Sequence, residues 1–351
     1  MVPFAGYAMP VQYGPGPRCR GGVLAEHLHC RAAAALFDVS HMGQALLTGP
    51  GAAAALERLV PGDIAGLAPG RQRYTMLTNE SGGILDDLMV ANAGDFLFLV
   101  ANASRKDADF AHIETALPAG VTLTRWPDRA LLALQGPEAA AVMARLCPGA
   151  AALPFLGFGA FPLAGIPCLI SRSGYTGEDG FEISAPADRA VALADALLAE
   201  PPVALAGLGA RDSLRLEAGL CLYGSDIDTD TTPIEAGLAW TIGKRRRAAW
   251  DFPGGTILRD QLAAGPARRR VGLRLDGRAP ARAGADILDP SGTVVGSVTS
   301  GLFSPTLQAP IALGYVPAAL AAIGTRLAVS VRGAALPAAV VRLPFVPHRY
   351  V

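Results

Sequence analysis

The sequence predicts a chain of mixed α and β structure that ends in an all-β barrel or sandwich. Between Ala5 and about Trp240, short apolar runs alternate with stretches of helical periodicity, the pattern of a mixed architecture. Beyond Asp251 the helical stretches give way to short β-prone runs separated by Gly, Pro and Asp. A strand-turn-helix unit recurs within the first part, which therefore reads as one building block used twice. At roughly 100–200 residues per domain, the 351-residue chain holds two or three domains.

In the first copy of the repeat, Leu47-Thr48-Gly49-Pro50-Gly51-Ala52 leads into a helix ending Arg58-Leu59-Val60-Pro61-Gly62. In the second, Leu134-Gln135-Gly136-Pro137-Glu138-Ala139 leads into one ending Arg145-Leu146-Cys147-Pro148-Gly149. Pro50 and Pro137 are expected at the first helical position, where a missing N–H costs nothing. The first copy imitates a dinucleotide-binding G-x-G-x-x-A, but Glu138 matches Gly51 in the second copy, and Arg71 stands where an acidic residue is required. Gly207 to Asp212 lacks the third glycine of that fingerprint. Gly237 to Lys244 is too long for a phosphate loop and has Arg245 in place of Ser or Thr. Farther along, runs at 270–275, 285–289, 293–299, 311–316, 326–331 and 338–343 make up the all-β part. Phe252-Pro253-Gly254-Gly255 and Gly265-Pro266 punctuate the junction, dividing the chain into a region 1–255 and a C-terminal region 256–351.

Charge and cysteine usage exclude several classes. Thirty basic residues balance thirty acidic ones, so there is no excess of cations to neutralise phosphates, and nucleic acid is not the expected partner. Only Lys106 and Lys244 are lysine; with so much alanine, this points to a GC-rich genome and a bacterial host. Cys19, Cys30, Cys147, Cys168 and Cys221 are odd in number and scattered, with no C-x-x-C and no secretory leader before them, which fits a reducing cytoplasm. The longest uncharged stretches, such as Ile311 to Thr325, fall short of the ~20 apolar residues of a spanning helix, so no membrane segment is expected.

The chemistry-bearing residues are few. His27, His29, His41, His112 and His348 form no zinc spacing, and His27-x-His29-Cys30 reads better as part of an amphipathic helix than as a metal site. No G-x-S-x-G elbow is present and no cysteine has an activating context. Asp86 and Asp87 follow Gly82-Gly83 between two apolar strands, so one should face inward and the other outward. An inward Asp without a cation has a raised pKa or meets a polar ligand; the alternative is a solvent-exposed turn pair. In Ser173 to Ser184, Glu178-Asp179-Gly180 reads as a turn. Glu182 between Phe181 and Ile183 is either an exposed strand residue or a buried acid with a partner, able to accept two parallel N–H donors from a guanidinium or a pterin. Arg211 sits in the first turn of a helix stopped by Gly219, against the positive end of its dipole, where an anion or carboxylate would relieve it.

These segments, together with Val2 to Tyr7, Phe37-Asp38-Val39-Ser40-His41-Met42, Leu220 to Asp228 and Gly243 to Arg247, resemble the aminomethyltransferase, or T-protein, family of the glycine cleavage system. The likeness runs in order from Met1 to Tyr350. It implies an α+β fold with three lobes in a clover leaf: two interleaved α/β lobes plus a C-terminal β-barrel. It also implies an enzyme that takes the aminomethyl group from the dihydrolipoyl arm of an H-protein, releases ammonia and forms 5,10-methylenetetrahydrofolate, with tetrahydrofolate as acceptor. The family's catalytic aspartate falls on Asp87, and its folate contacts fall on Met42, Tyr74, Asn102, Tyr175, Glu182, Arg211, Trp240 and Tyr350.

Two departures from the family pattern are a shorter lead into Met1-Val2-Pro3-Phe4 and Tyr7 where Trp is common. Relatives of the same fold include folate-dependent demethylases and a non-catalytic folate-binding protein of iron-sulfur assembly. The latter relies on a cysteine motif that the Cys221 block does not supply. Lys244-Arg245-Arg246-Arg247 reads as a solvated loop, and as a docking patch for the H-protein if that partner is acidic.

Overall fold

The computed structural model describes residues 1–351 and contains three main sheets. A six-stranded sheet runs in the order Phe158–Leu163, Ile166–Ser171, Gly180–Pro186, Arg129–Gln135, Ala34–Asp38, Val203–Leu205. A five-stranded sheet runs Arg71–Thr78, Ile84–Asn92, Leu97–Ala101, Gly43–Thr48, Thr122–Arg125. The two are interleaved in sequence: the chain lays down Ala34–Asp38 in the larger sheet, builds the smaller one, then returns to complete the first. Arg129–Gln135 is buried almost throughout, as a central strand must be, and its unbroken run of apolar residues is the sequence signature of that position.

The last six strands close into a barrel in the order Arg268–Leu275, Ala309–Pro317, Val294–Ser304, Asp286–Leu288, Arg326–Val331, Ala334–Val341. This decides between barrel and sandwich. Closure removes the unpaired edges that an open sheet would expose. The strand Arg326–Val331 alternates between exposed or half-buried and buried residues, and Leu327, Val329 and Val331 point into a core that also holds Leu273, Ile287 and Val340.

Both copies of the repeat fold as strand, turn and helix, but the proline position differs from the expectation. The helices begin at Ala52 and Ala139, with Gly51 and Glu138 as N-caps, so Pro50 and Pro137 precede the cap rather than open the helix. The conserved feature of the turn is the glycine before each proline. Gly49 and Gly136 have φ of +108° and +132°, and a Cβ there would lie 2.0 Å from the Gly120 carbonyl oxygen and 2.2 Å from that of Ala33. Backbone crowding therefore fixes both glycines. Ala139, Val142 and Met143 form the buried stripe of the second helix.

The chain divides into two compact units that each draw on separated segments. One comprises Met1–Leu77, Asp86–Arg211 and Arg349–Val351; the other comprises Thr78–Leu85 and Asp212–His348. No helix is long and apolar enough to cross a membrane.

Candidate active site

The strand Ile84–Asn92 alternates buried and half-buried residues, which places Asp86 and Asp87 on opposite faces. Asp86 is fully inaccessible to solvent, whereas Asp87 is half-buried. The inward and outward readings of the pair are thus both realised, and a solvent-exposed turn pair is excluded. Asn102, just past the end of the neighbouring strand, joins them. Its Nδ2 donates to Asp86 Oδ1 at 2.9 Å, to Asp87 Oδ1 at 2.8 Å and to the Asp87 carbonyl at 3.1 Å, and its backbone N–H reaches Asp86 Oδ2 at 3.3 Å. The Asn102 carbonyl in turn accepts from the N–H groups of Arg105 and Lys106, anchoring it to the start of the helix Lys106–Ala116.

Burial and the neighbouring Asp86 push the Asp87 carboxyl up to about 7, against hydrogen bonds from Tyr74 and Asn102 that favour the ionised form. A carboxyl held there has ionised and protonated forms of similar population at neutral pH. It can take up a proton and return it with little penalty either way. Burial likewise raises Asp86 and Asp109, whose side chains are hydrogen-bonded to each other.

A second polar cluster surrounds Arg211. Its guanidinium stacks over the Tyr175 ring at 4.8 Å and is attracted to Glu182. The Glu182 carboxylate also accepts from Ser173 Oγ at 3.2 Å. Of the two readings of Glu182, the half-buried acid with dedicated partners is the one observed. Burial raises its pKa and Arg211 opposes the rise. The carboxylate expected to relieve Arg211 is therefore supplied by the protein itself, while Arg211 Nη1 is buried with no hydrogen-bond partner. The same helix start is well satisfied: the N–H groups of Gly207, Leu208 and Gly209 donate to Glu26, Pro10 and Val11.

Met42 is half-buried in the turn before Gly43–Thr48, next to His41. Burial first, then Arg211 and Lys106, lower His41 to about 4, so its ring is neutral at pH 7. It packs edge-on against Phe4 at 5.5 Å. Tyr350 stacks on Phe155 with ring centroids 4.3 Å apart. Met42, Tyr74, Asp87, Asn102, Tyr175, Glu182, Arg211 and Tyr350 all belong to one compact unit. Trp240 belongs to the other, on a one-turn helix Ala239–Thr241 where it is 65% exposed.

Two local expectations are corrected. Glu178 and Asp179 are not turn residues but buried acids: Glu178 Oε1 accepts from Arg31 and Arg349, and Asp179 takes both arms of Arg172 at 2.9 and 2.6 Å. Lys244 to Arg247 is not a loop but the start of a short helix, Lys244–Ala249, and Arg246 points inward onto Asp251 and the Phe252 ring. In the helix Val23–Ala32, His27 and Cys30 are fully buried, and His29 Nε2 lies 2.9 Å from the Ala34 and Pro202 carbonyls. Sequence reasoning also passed over Asp109. Its signal was present: Asp109, Phe110 and Ile113 share the buried face of their helix, an unusual place for an acid.

Comparison with known proteins points to one family. Residues 1–246 match the GCVT N-terminal domain family, and residues 268–347 match the glycine cleavage T-protein C-terminal barrel domain. The mitochondrial aminomethyltransferase of Gallus gallus is 52% identical over 100% of this chain and 90% of its own length; that of Flaveria trinervia is 46% identical over 100% and 87%. The crystal structure of the glycine cleavage system aminomethyltransferase T from Bartonella henselae superposes with a TM-score of 0.91 at 45% identity, covering 99% of this chain and 94% of that one. The chain belongs to the aminomethyltransferase family of the glycine cleavage system, the T-proteins.

Proposed function

We propose that the chain transfers the aminomethyl carbon from the dihydrolipoyl arm of a lipoylated H-protein to tetrahydrofolate, releasing ammonia and forming 5,10-methylenetetrahydrofolate. The observation that carries the mechanism is the Asp87 carboxyl, pushed up to about 7 chiefly by burial and aimed by Tyr74 and Asn102. In this reading Asp87 positions a folate nitrogen and takes its proton as N5 attacks the methylene. Glu182 suits the paired N–H donors of a pterin, and Tyr74, Tyr175 and Tyr350 supply aromatic surface for the folate; Trp240 enters the set by the family resemblance alone. Met42, Asn102 and Arg211 complete the set. The division we favour assigns folate binding to residues 1–255 and the barrel to 256–351.

The deciding experiment supplies aminomethyl-loaded H-protein and tetrahydrofolate. Folate-dependent ammonia release with methylenetetrahydrofolate formation is expected. Its absence, with methyl transfer from an N-methyl or sulfonium donor instead, would turn the reading to a demethylase.

The exposed Lys244, Arg245 and Arg247 offer a positive patch for the H-protein, smaller by one residue than the sequence run because Arg246 is inward. Reversing Lys244 and Arg245 to Glu is expected to raise the KM for H-protein several-fold at low salt and leave the KM for folate in place. Equal values for H-protein would discard the patch. The compartment in this reading is the bacterial cytoplasm, or the mitochondrial matrix in a eukaryote, as the mitochondrial aminomethyltransferase relatives suggest.

A further inference from the structure

Asp86 and Asp109 form a pair of acids, each almost wholly out of solvent, with no cation bonded to either carboxylate in the contacts described. They come from different elements, Asp86 from the strand Ile84–Asn92 and Asp109 from the helix Lys106–Ala116, and they meet by a hydrogen bond that requires a proton between them. Two ionised carboxylates in hydrogen-bond contact, both buried, would repel strongly; one proton shared across the pair removes the conflict. The other side of Asp86 faces the reacting group: its Oδ1 accepts from the same Asn102 Nδ2 that donates to Asp87 Oδ1.

We propose that the Asp86–Asp109 pair is a positioning unit for Asp87, in which Asp86 stays protonated, donates to the Asp109 carboxylate, and uses its remaining oxygen to fix the Asn102 amide that aims the Asp87 carboxylate. The single negative charge of the pair then resides on Asp109, the member farther along the chain of contacts from Asp87. The ionisable and charged groups facing this cluster are Asp87 on the same strand, Tyr74 on the strand Arg71–Thr78, and Arg105 at the start of the helix, whose charge draws the Asp109 carboxylate toward ionisation. The inference rests on Asp87 as the reacting carboxyl, which Asp87→Asn tests separately.

The arrangement distinguishes substitutions that a purely structural role would not. Asp86→Asn comes close to a protonated acid: it is neutral, keeps one oxygen for the Asn102 amide and offers an N–H to Asp109, giving up only the longer 3.3 Å contact from the Asn102 backbone N–H. It is expected to lose no more than about threefold in kcat, with the acidic limb of the pH profile in place, whereas Asp86→Leu loses roughly a hundredfold. Asp109→Asn lets the charge move onto Asp86, next to Asp87. It is expected to lower kcat by roughly tenfold or more, shift the acidic limb to higher pH, and leave the KM for folate within about twofold. Wild-type protein at pH 8.5 should also show the infrared C=O stretch of a protonated carboxyl, a measurement that needs no variant and no turnover. Absence of that band, or a folded Asp86→Asn as impaired as Asp86→Leu, overturns the pair. Loss of Asp87 function in Asp87→Asn alone leaves both readouts untouched, so the two assignments fail independently.

Discussion

Asp87→Asn is expected to lose roughly 10²–10⁴-fold in turnover, the usual contribution of a positioned acid or base, while folate binding is retained. The substitution keeps the shape and the Tyr74 and Asn102 contacts but abolishes proton uptake. The wild-type enzyme should lose kcat/KM as pH falls through about 7, because protonation removes the form that accepts the folate proton. Stability should change the other way. A carboxyl whose folded pKa is raised above its unfolded value binds protons more tightly when folded. Its ionisation therefore costs stability, a cost absent well below the unfolded pKa of roughly 4 and complete above the folded value near 7. Removing the charge should raise the melting temperature at pH 8 and have little effect at pH 4. A variant that keeps near-normal turnover, or that melts lower at pH 8 than the parent, contradicts the assignment.

Glu178→Ala is expected to be the most damaging substitution outside the folate cluster. Glu178 is fully buried, and its Oε1 accepts from Arg31 at 2.7 Å and from Arg349. Arg31, itself buried, would lose the carboxylate that faces it while its bond to the Thr176 carbonyl stays. Stripping one partner from a buried pair typically costs about 3–5 kcal/mol, because the remaining charge is left uncompensated. Half-exposed Arg349 can turn to water, so the loss should sit toward the lower end of that range. Because Arg349 precedes Tyr350, whose ring stacks on Phe155, the KM for folate should rise as well. Denaturant unfolding and steady-state kinetics check both parts. A loss under ~1 kcal/mol, the size of an exposed ion pair, would overturn the role of Glu178 as a buried anchor.

Much of the fold was legible because the relevant signals are local. The β-prone runs of the C-terminal part, spaced by Gly, Pro and Asp, and the Gly-Pro turn shared by both copies of the repeat are properties of a few neighbouring residues, and each appears in the structure. Asp86 and Asp87 were legible as opposite-facing acids for the same reason: strand alternation needs no knowledge of the partner. What the sequence withheld were partners distant along the chain. Glu178 and Asp179 beside Gly180 have the composition of a turn, and only Arg31, Arg172 and Arg349 reveal them as buried anchors. Arg246 is indistinguishable from its basic neighbours until Asp251 and Phe252 close around it. Asp109 could have been marked by its helix face, yet its hydrogen bond to Asp86 joins residues on different elements and has no signature in either.

The position of Arg349 has a consequence for synthesis on the ribosome. Glu178 is made about halfway through the chain, and one of its two cations is among the last residues added. Arg31 alone faces the carboxylate until then, and the unit holding the folate cluster lacks its third segment, Arg349–Val351. That unit therefore begins folding first and finishes last, after the whole barrel has been translated. A chain released early would lack the Arg349 cation on Glu178 and the Tyr350 ring on Phe155, so loss of the final residues would leave a nearly full-length protein in an unfinished state open to proteases.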